Sequence, residues 1–169
     1  MNDEFVNLKD QQVLYEIKDY LERISVAGTV LESSKDLEFN ILMAVTADQI
    51  PVNIMYVPAP EDQFEEIRLL QFHSLLTANV SPVNKNDILI LLNELNNLNP
   101  FGSFSINDGG QLSYKYIFPV TRFDIPKETT IQEIFTLYHS ALTKFKPALL
   151  GLNDGKLSLE EAITQVRTD

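Results

Sequence analysis

The chain has 169 residues, with 24 acidic against 13 basic side chains and a formal net charge of −11. So acidic a chain is repelled by phosphate backbones and anionic membrane surfaces, and no Lys/Arg cluster offsets the field, which disfavours nucleic-acid binding. Cysteine is absent, so disulfide and thiolate chemistry are excluded.

The length fits one domain able to bury roughly two thirds of its unfolded surface without staples. No run of about eighteen apolar residues exists to span a membrane. Met1-Asn2-Asp3-Glu4 lacks the positive n-region and apolar core of a signal peptide, and with the missing cysteines this reads as a cytoplasmic protein. The acidity itself has two readings, solubility alone or a preference for neutral or basic protein partners.

In residues 11–24 the apolar positions Val13, Leu14, Ile17, Tyr20, Leu21 and Ile24 have helical spacing, with Asp10 placed to cap the helix. Residues 25–32 turn β-branched, and residues 33–36 form a polar turn. Leu37, Phe39, Ile41, Met43 and Val45 then alternate with Glu38 and Asn40, predicting a long strand whose other face is also apolar at Leu42 and Ala44. Residues 47–49 turn the chain and residues 51–57 predict a further strand. Such short connections permit only antiparallel neighbours. A loop follows at residues 58–62. Residues 69–78 continue the meander as a strand through Phe72, Ser74, Leu76 and Ala78, although Leu69, Leu70, Phe72, Leu75 and Leu76 fit neither period well.

A second helix shows one stripe, Ile88, Leu91, Leu92, Leu95 and Leu98, with Asn84 as N-cap and Asp87 in its first turn. Asn99-Pro100 ends it, because the residue before proline avoids helical geometry. A hairpin comes next. Phe104 and Ile106 alternate with serines, and Leu112, Tyr114, Tyr116 and Phe118 alternate with polar residues. A two-residue loop would set apolar against polar residues on one face. The loop Asp108-Gly109-Gly110 instead pairs Ile106 with Leu112, Phe104 with Tyr114 and Gly102 with Tyr116. Gly110 supplies the positive φ such a loop needs, and Gly102 leaves room for the ring of Tyr116.

Residues 119–127 hold two prolines and connect to the longest apolar stripe: Ile131, Ile134, Phe135, Tyr138, Leu142, Phe145 and Leu149. Thr130 and Glu133 form a capping box for this helix over residues 130–150, with Pro147 kinking or ending it. Asn153-Asp154-Gly155 is a turn, and Ser158 with Glu161 caps a short final helix.

No motif carries chemistry. Residues 150–161 resemble a calcium loop at Asp154-Gly155 and Glu161, but the first two ligand positions fall on Leu150 and Leu152, which bring no oxygen. His73 and His139 lie in different elements, each without a second ligand at metal spacing. Gly102-Ser103-Phe104-Ser105 lacks the second glycine of a nucleophile elbow, and Gly109-Gly110 is not followed by a helix that could cradle phosphate. No catalytic residue, metal or cofactor is therefore expected.

The order of elements resembles the bacterial YbjN-like family, described as sensory-transduction regulators, which shares its fold with class I type III secretion chaperones. The resemblance is carried by Leu92-Asn93-Glu94-Leu95-Asn96, Gly102-Ser103-Phe104-Ser105-Ile106 and Asp108-Gly109-Gly110-Gln111-Leu112. It spans most of the chain, from which the tail, residues 153–169, departs. It implies a non-enzymatic binding protein that forms a homodimer.

The expected fold is α+β, an antiparallel sheet of about five to six strands packed by helices and secretion-chaperone-like. Residues 1–152 form the main domain and residues 153–169 a helical appendage. The expected function is a chaperone-like or regulatory module presenting an apolar face to a polypeptide, with Leu42, Met55, Tyr138 and Phe145 as its partner surface. Two alternatives stay open, a small-molecule or enzymatic pocket between sheet and helices, and a structural dimer subunit.

Overall fold

The computed structural model describes residues 3–35, 37–57, 66–121 and 124–168, with side chains from residue 8 onward. In chain order the elements are α1 (Asp3–Glu22), β1 (Ala27–Leu31), β2 (Ile41–Val45), β3 (Pro51–Val57), β4 (Ile67–Thr77), α2 (Lys85–Leu98), β5 (Ser103–Ile106), β6 (Leu112–Thr121), α3 (Glu128–Asn153) and α4 (Leu159–Thr168). The strands form one antiparallel six-stranded sheet in the order β1-β2-β3-β4-β6-β5, so the fold is α+β with β1 and β5 at its edges. The loop expected at residues 58–62, and Asp36 of the polar turn, lie outside the described residues. Two compact units divide the chain, Met1–Ser74 with Ile117–Phe135, and Leu75–Tyr116 with Thr136–Asp169.

In the first unit α1 buries Val13, Leu14, Ile17 and Leu21 and packs on β1, β2 and β3. It begins well before Asp10, which is therefore not a cap but a residue of the helix body. The Asp10 carboxylate pairs with Arg68 of β4, and both side chains are largely buried. The Arg68 guanidinium also lies 4.1 Å from the centre of the Tyr56 ring. Burial pushes the Tyr56 hydroxyl up to about 12, so the ring stays neutral beneath the cation.

The two apolar faces of β2, which suggested partial burial on both sides, are in fact treated unequally. Leu42 and Ala44 are fully buried, while Met43 and Val45 are exposed. The reason is register: Leu42 pairs with Ile54 and Ala44 with Val52, the buried positions of β3. The strand is also shorter than expected, because Asn40 turns its side chain inward to accept a hydrogen bond from the Ser33 amide at 2.8 Å. β4 covers most of the predicted strand and buries Leu70, Phe72 and Ser74, the last donating to the Pro51 carbonyl at 2.8 Å.

The second unit holds the hairpin in the predicted register, Phe104 opposite Tyr114 and Ile106 opposite Leu112. Gly110 has φ +77 and closes the loop. Gly102 serves Tyr114 and not Tyr116: with φ +82, a Cβ there would stand 2.7 Å from both the Tyr114 hydroxyl and the Lys115 carbonyl. The Tyr114 hydroxyl donates to the Phe101 carbonyl and accepts from Asn99 Nδ2 at 3.1 Å, while Tyr138 donates to the Tyr114 carbonyl at 2.9 Å. Gly102→Ala should cost at least about 2 kcal/mol, because it combines a left-handed backbone with a collision inside this network. A fall in urea midpoint measures it, and an unchanged midpoint would mean that the chain around Gly102 can move aside.

α2 buries Ile88, Leu91, Leu92 and Leu95 of its predicted stripe, whereas Leu98 in its last turn stays exposed. Asn84 occupies the N-cap position, but its side chain makes no cap bond; Nδ2 donates instead to the carbonyls of Leu152 and Asn153. α3 starts at Glu128, with the Ile131 amide bonded to Lys127, so Thr130 lies inside the first turn and caps nothing. The helix also runs through Pro147 to Asn153 and is closed by Gly155 (φ +70), where Gly155 donates to Leu152 and Lys156 to Gly151. That closure is a Schellman motif and accounts for the calcium-loop resemblance.

The Ser158–Glu161 capping box forms as predicted, Ser158 N to Glu161 Oε2 at 2.7 Å and Glu161 N to Ser158 Oγ at 3.3 Å. α4 then packs against α2, burying Ala162 and Val166, and Arg167 reaches both oxygens of Glu94 at 3.0 Å. The bonds from Ser158 hold the Glu161 carboxyl below its ordinary range. A carboxyl with a depressed folded value stabilises at neutral pH and loses that contribution as pH falls through the folded value. Ser158→Ala is expected to weaken α4 at neutral pH, read as faster exchange of its amides.

Candidate functional site

The register of the first unit assigns the opposite, uncovered face of its strands. Leu31 pairs with Ile41, Thr29 with Met43 and Ala27 with Val45. Met43 pairs in turn with Asn53, and Asn53 with His73, while Met55 pairs with Gln71 and Val57 with Leu69. Alternation along antiparallel strands places Leu31, Ile41, Met43, Val45, Met55, Val57 and Leu69 on one face. Leu31 and Met43 keep 39% of their surface exposed and Val45 keeps 36%. For side chains already flanked by neighbouring strands, that much exposure means that no described residue packs over them in full. Among the described residues the strand positions of this face carry no carboxylate and no ammonium group.

Of the four residues expected at a partner surface, only Met55 lies on this face, half-buried. Leu42 and Tyr138 are fully buried and Phe145 is 5% exposed, so these three side chains are covered by the chain's own residues. Leu31, Met43 and Val45 were missed as surface residues. The signal for them lay in β3, where Asn53 interrupts Val52, Ile54 and Tyr56 and marks the outward face; its cross-strand partner Met43 must share that face.

Chemical groups do not converge. Among the described residues no three of His, Asp or Glu stand where they could hold a metal. His73 sits on the open face beside Asn53, and His139 lies on α3 with Nε2 3.3 Å from Thr143 Oγ1. An open depression of about 550 Å³ runs along α4, lined by Ser158, Glu160, Glu161, Thr164 and Gln165. Glu161 there is engaged in its capping box. In the second unit Val83 is 91% exposed, and Leu89 and Ile90 on α2 are about half exposed. No helix is long and apolar enough to cross a membrane among the described residues. Comparison with protein-family models and with curated proteins finds no match for this chain.

Proposed function

We propose that the chain is a non-enzymatic protein-binding module, chaperone-like or regulatory, that presents the open face of β1–β4 to a polypeptide partner. One observation carries this: Leu31, Met43 and Val45 stay more than a third exposed on an uncharged sheet face, in a chain of net charge −11. Apolar side chains grouped on one face gain by being covered, at about 25 cal/mol per Å² removed from water. The reading agrees with the function that the YbjN-like resemblance implies, and with it go a cytoplasmic location and a homodimer. Val83, Leu89 and Ile90 of the second unit offer apolar surface for self-association.

A tagged pull-down tests the proposal by comparing the native chain with Met43→Ser and with Ile90→Ser as a control at the other exposed patch. A stoichiometric protein lost with Met43→Ser and kept with Ile90→Ser is the expected result. A partner indifferent to Met43 would sink the assignment of this face. Light scattering tests the homodimer separately, and a monomer at working concentration rejects it.

A further inference from the structure

We infer that β1 is an acceptor edge: an extended segment of a partner polypeptide, apolar at alternate positions and flanked by basic residues, adds to the sheet beside Ala27–Leu31. This rests on the protein-binding reading above and states how the partner docks. β1 is the first strand of the sheet and pairs only with β2. No other hydrogen bond reaches residues 27–31, so the outward N–H and C=O groups of this strand have no partner among the described residues. Such a row of groups is a template for one more strand.

The other edge is treated differently. On β5 the Asn96 side chain of α2 accepts from the Phe104 amide at 2.8 Å and donates to the Phe104 carbonyl at 3.0 Å. Its carboxamide thus fills the place of a strand. Among the described residues no side chain bonds to the outer edge of β1 in this way, and its sequence Ala-Gly-Thr-Val-Leu contains no charge and no proline to discourage pairing. All five residues keep an uninterrupted register with β2, so no bulge twists the edge away.

The side chains agree with the backbone. Ala27 and Thr29 are short and exposed, and behind them stand Val45 and Met43. Long apolar side chains on an added strand would lie over Ala27 and Thr29 toward Met43 and Val45, and the Leu31 side chain would be flanked on its open side. A second copy of the chain is a poor occupant. One five-residue strand paired with its like falls well below the roughly 800 Å² per partner of a stable interface. A cationic segment is drawn in by the field of a chain of net charge −11.

A phage-displayed library of random short peptides, selected against the full chain, is the test. Enriched peptides should alternate apolar residues between Lys/Arg flanks, and a synthetic copy should slow amide exchange at residues 27–31. N-methylation of the amides along one peptide edge should weaken binding by about ten-fold or more, and along the other edge hardly at all. Replacing the flanking Lys by Ser should weaken binding at low salt.

Peptides that bind yet protect other amides, or tolerate methylation on both edges, would overturn the edge assignment and leave the protein-binding reading standing. Neutral or acidic flanks among the winners, or self-association that protects β1, would overturn the basic partner. An unenriched library rejects the acceptor edge; the protein-binding reading then stands only if Met43-dependent capture is still observed.

Discussion

Replacing Phe145 by Ala is expected to cost about 3–5 kcal/mol, seen as a lower urea midpoint at unchanged slope. The side chain is 5% exposed and meets the Phe104 ring edge-on at 5.9 Å. Phe104 in turn stacks on Tyr114 at 4.3 Å, and Tyr114 lies 4.7 Å from Tyr138. Removing one ring from this chain of aromatics leaves a cavity that its neighbours, fixed by the Tyr114 hydrogen bonds, can fill only in part. A domain of this size has about 5–15 kcal/mol in hand, so the variant should be close to unfolding at physiological temperature. Met43→Ser is the contrast, because an exposed side chain away from caps and networks changes stability by roughly 0.5 kcal/mol. Were Phe145→Ala to stay stable and lose a partner instead, Phe145 would belong to a surface after all.

Arg68→Ala is expected to cost as much, about 3–5 kcal/mol, by a different mechanism. Its side chain is 18% exposed and that of Asp10 is 15% exposed, so the deletion leaves a carboxylate with little access to water. The Tyr56 ring also loses the cation above it. Asp10→Leu combined with Arg68→Met should recover most of the loss, since apolar side chains of similar size replace a buried pair at little net cost. Denaturant unfolding of the two singles and the double gives the coupling. A loss below about 1 kcal/mol in Arg68→Ala would mean that water solvates Asp10 and that α1 is held by its apolar stripe alone.

Elements whose determinants lie within a few residues were legible in the sequence. The hairpin register follows from two alternating strands and one loop length. The Ser158–Glu161 cap and the end of α2 at Asn99 are likewise local. Errors arose where a local pattern competed with a distant partner. Asp10 looks like a cap, but Arg68, far along the chain, needs its carboxylate inside the helix. Asn84 looks like a cap as well, yet its side chain donates to the Leu152 and Asn153 carbonyls at the end of α3. Gly102 was correctly tied to an aromatic ring, but the left-handed turn aims it at Tyr114.

The candidate site divides along the same line. The sequence by itself determined that β2 is apolar on both faces, with Ile41, Met43 and Val45 against Leu42 and Ala44. Period-two alternation cannot choose between two apolar faces, because each gains from burial. Only the tertiary structure decided, through the pairing of Leu42 with Ile54 and the packing of α1 on that side. One face became core, and the other kept Met43 and Val45 in solvent beside an open strand edge. Which face of a two-sided strand is covered depends on where a separate helix comes to rest and on the register with the next strand, and the strand's own residues do not contain that.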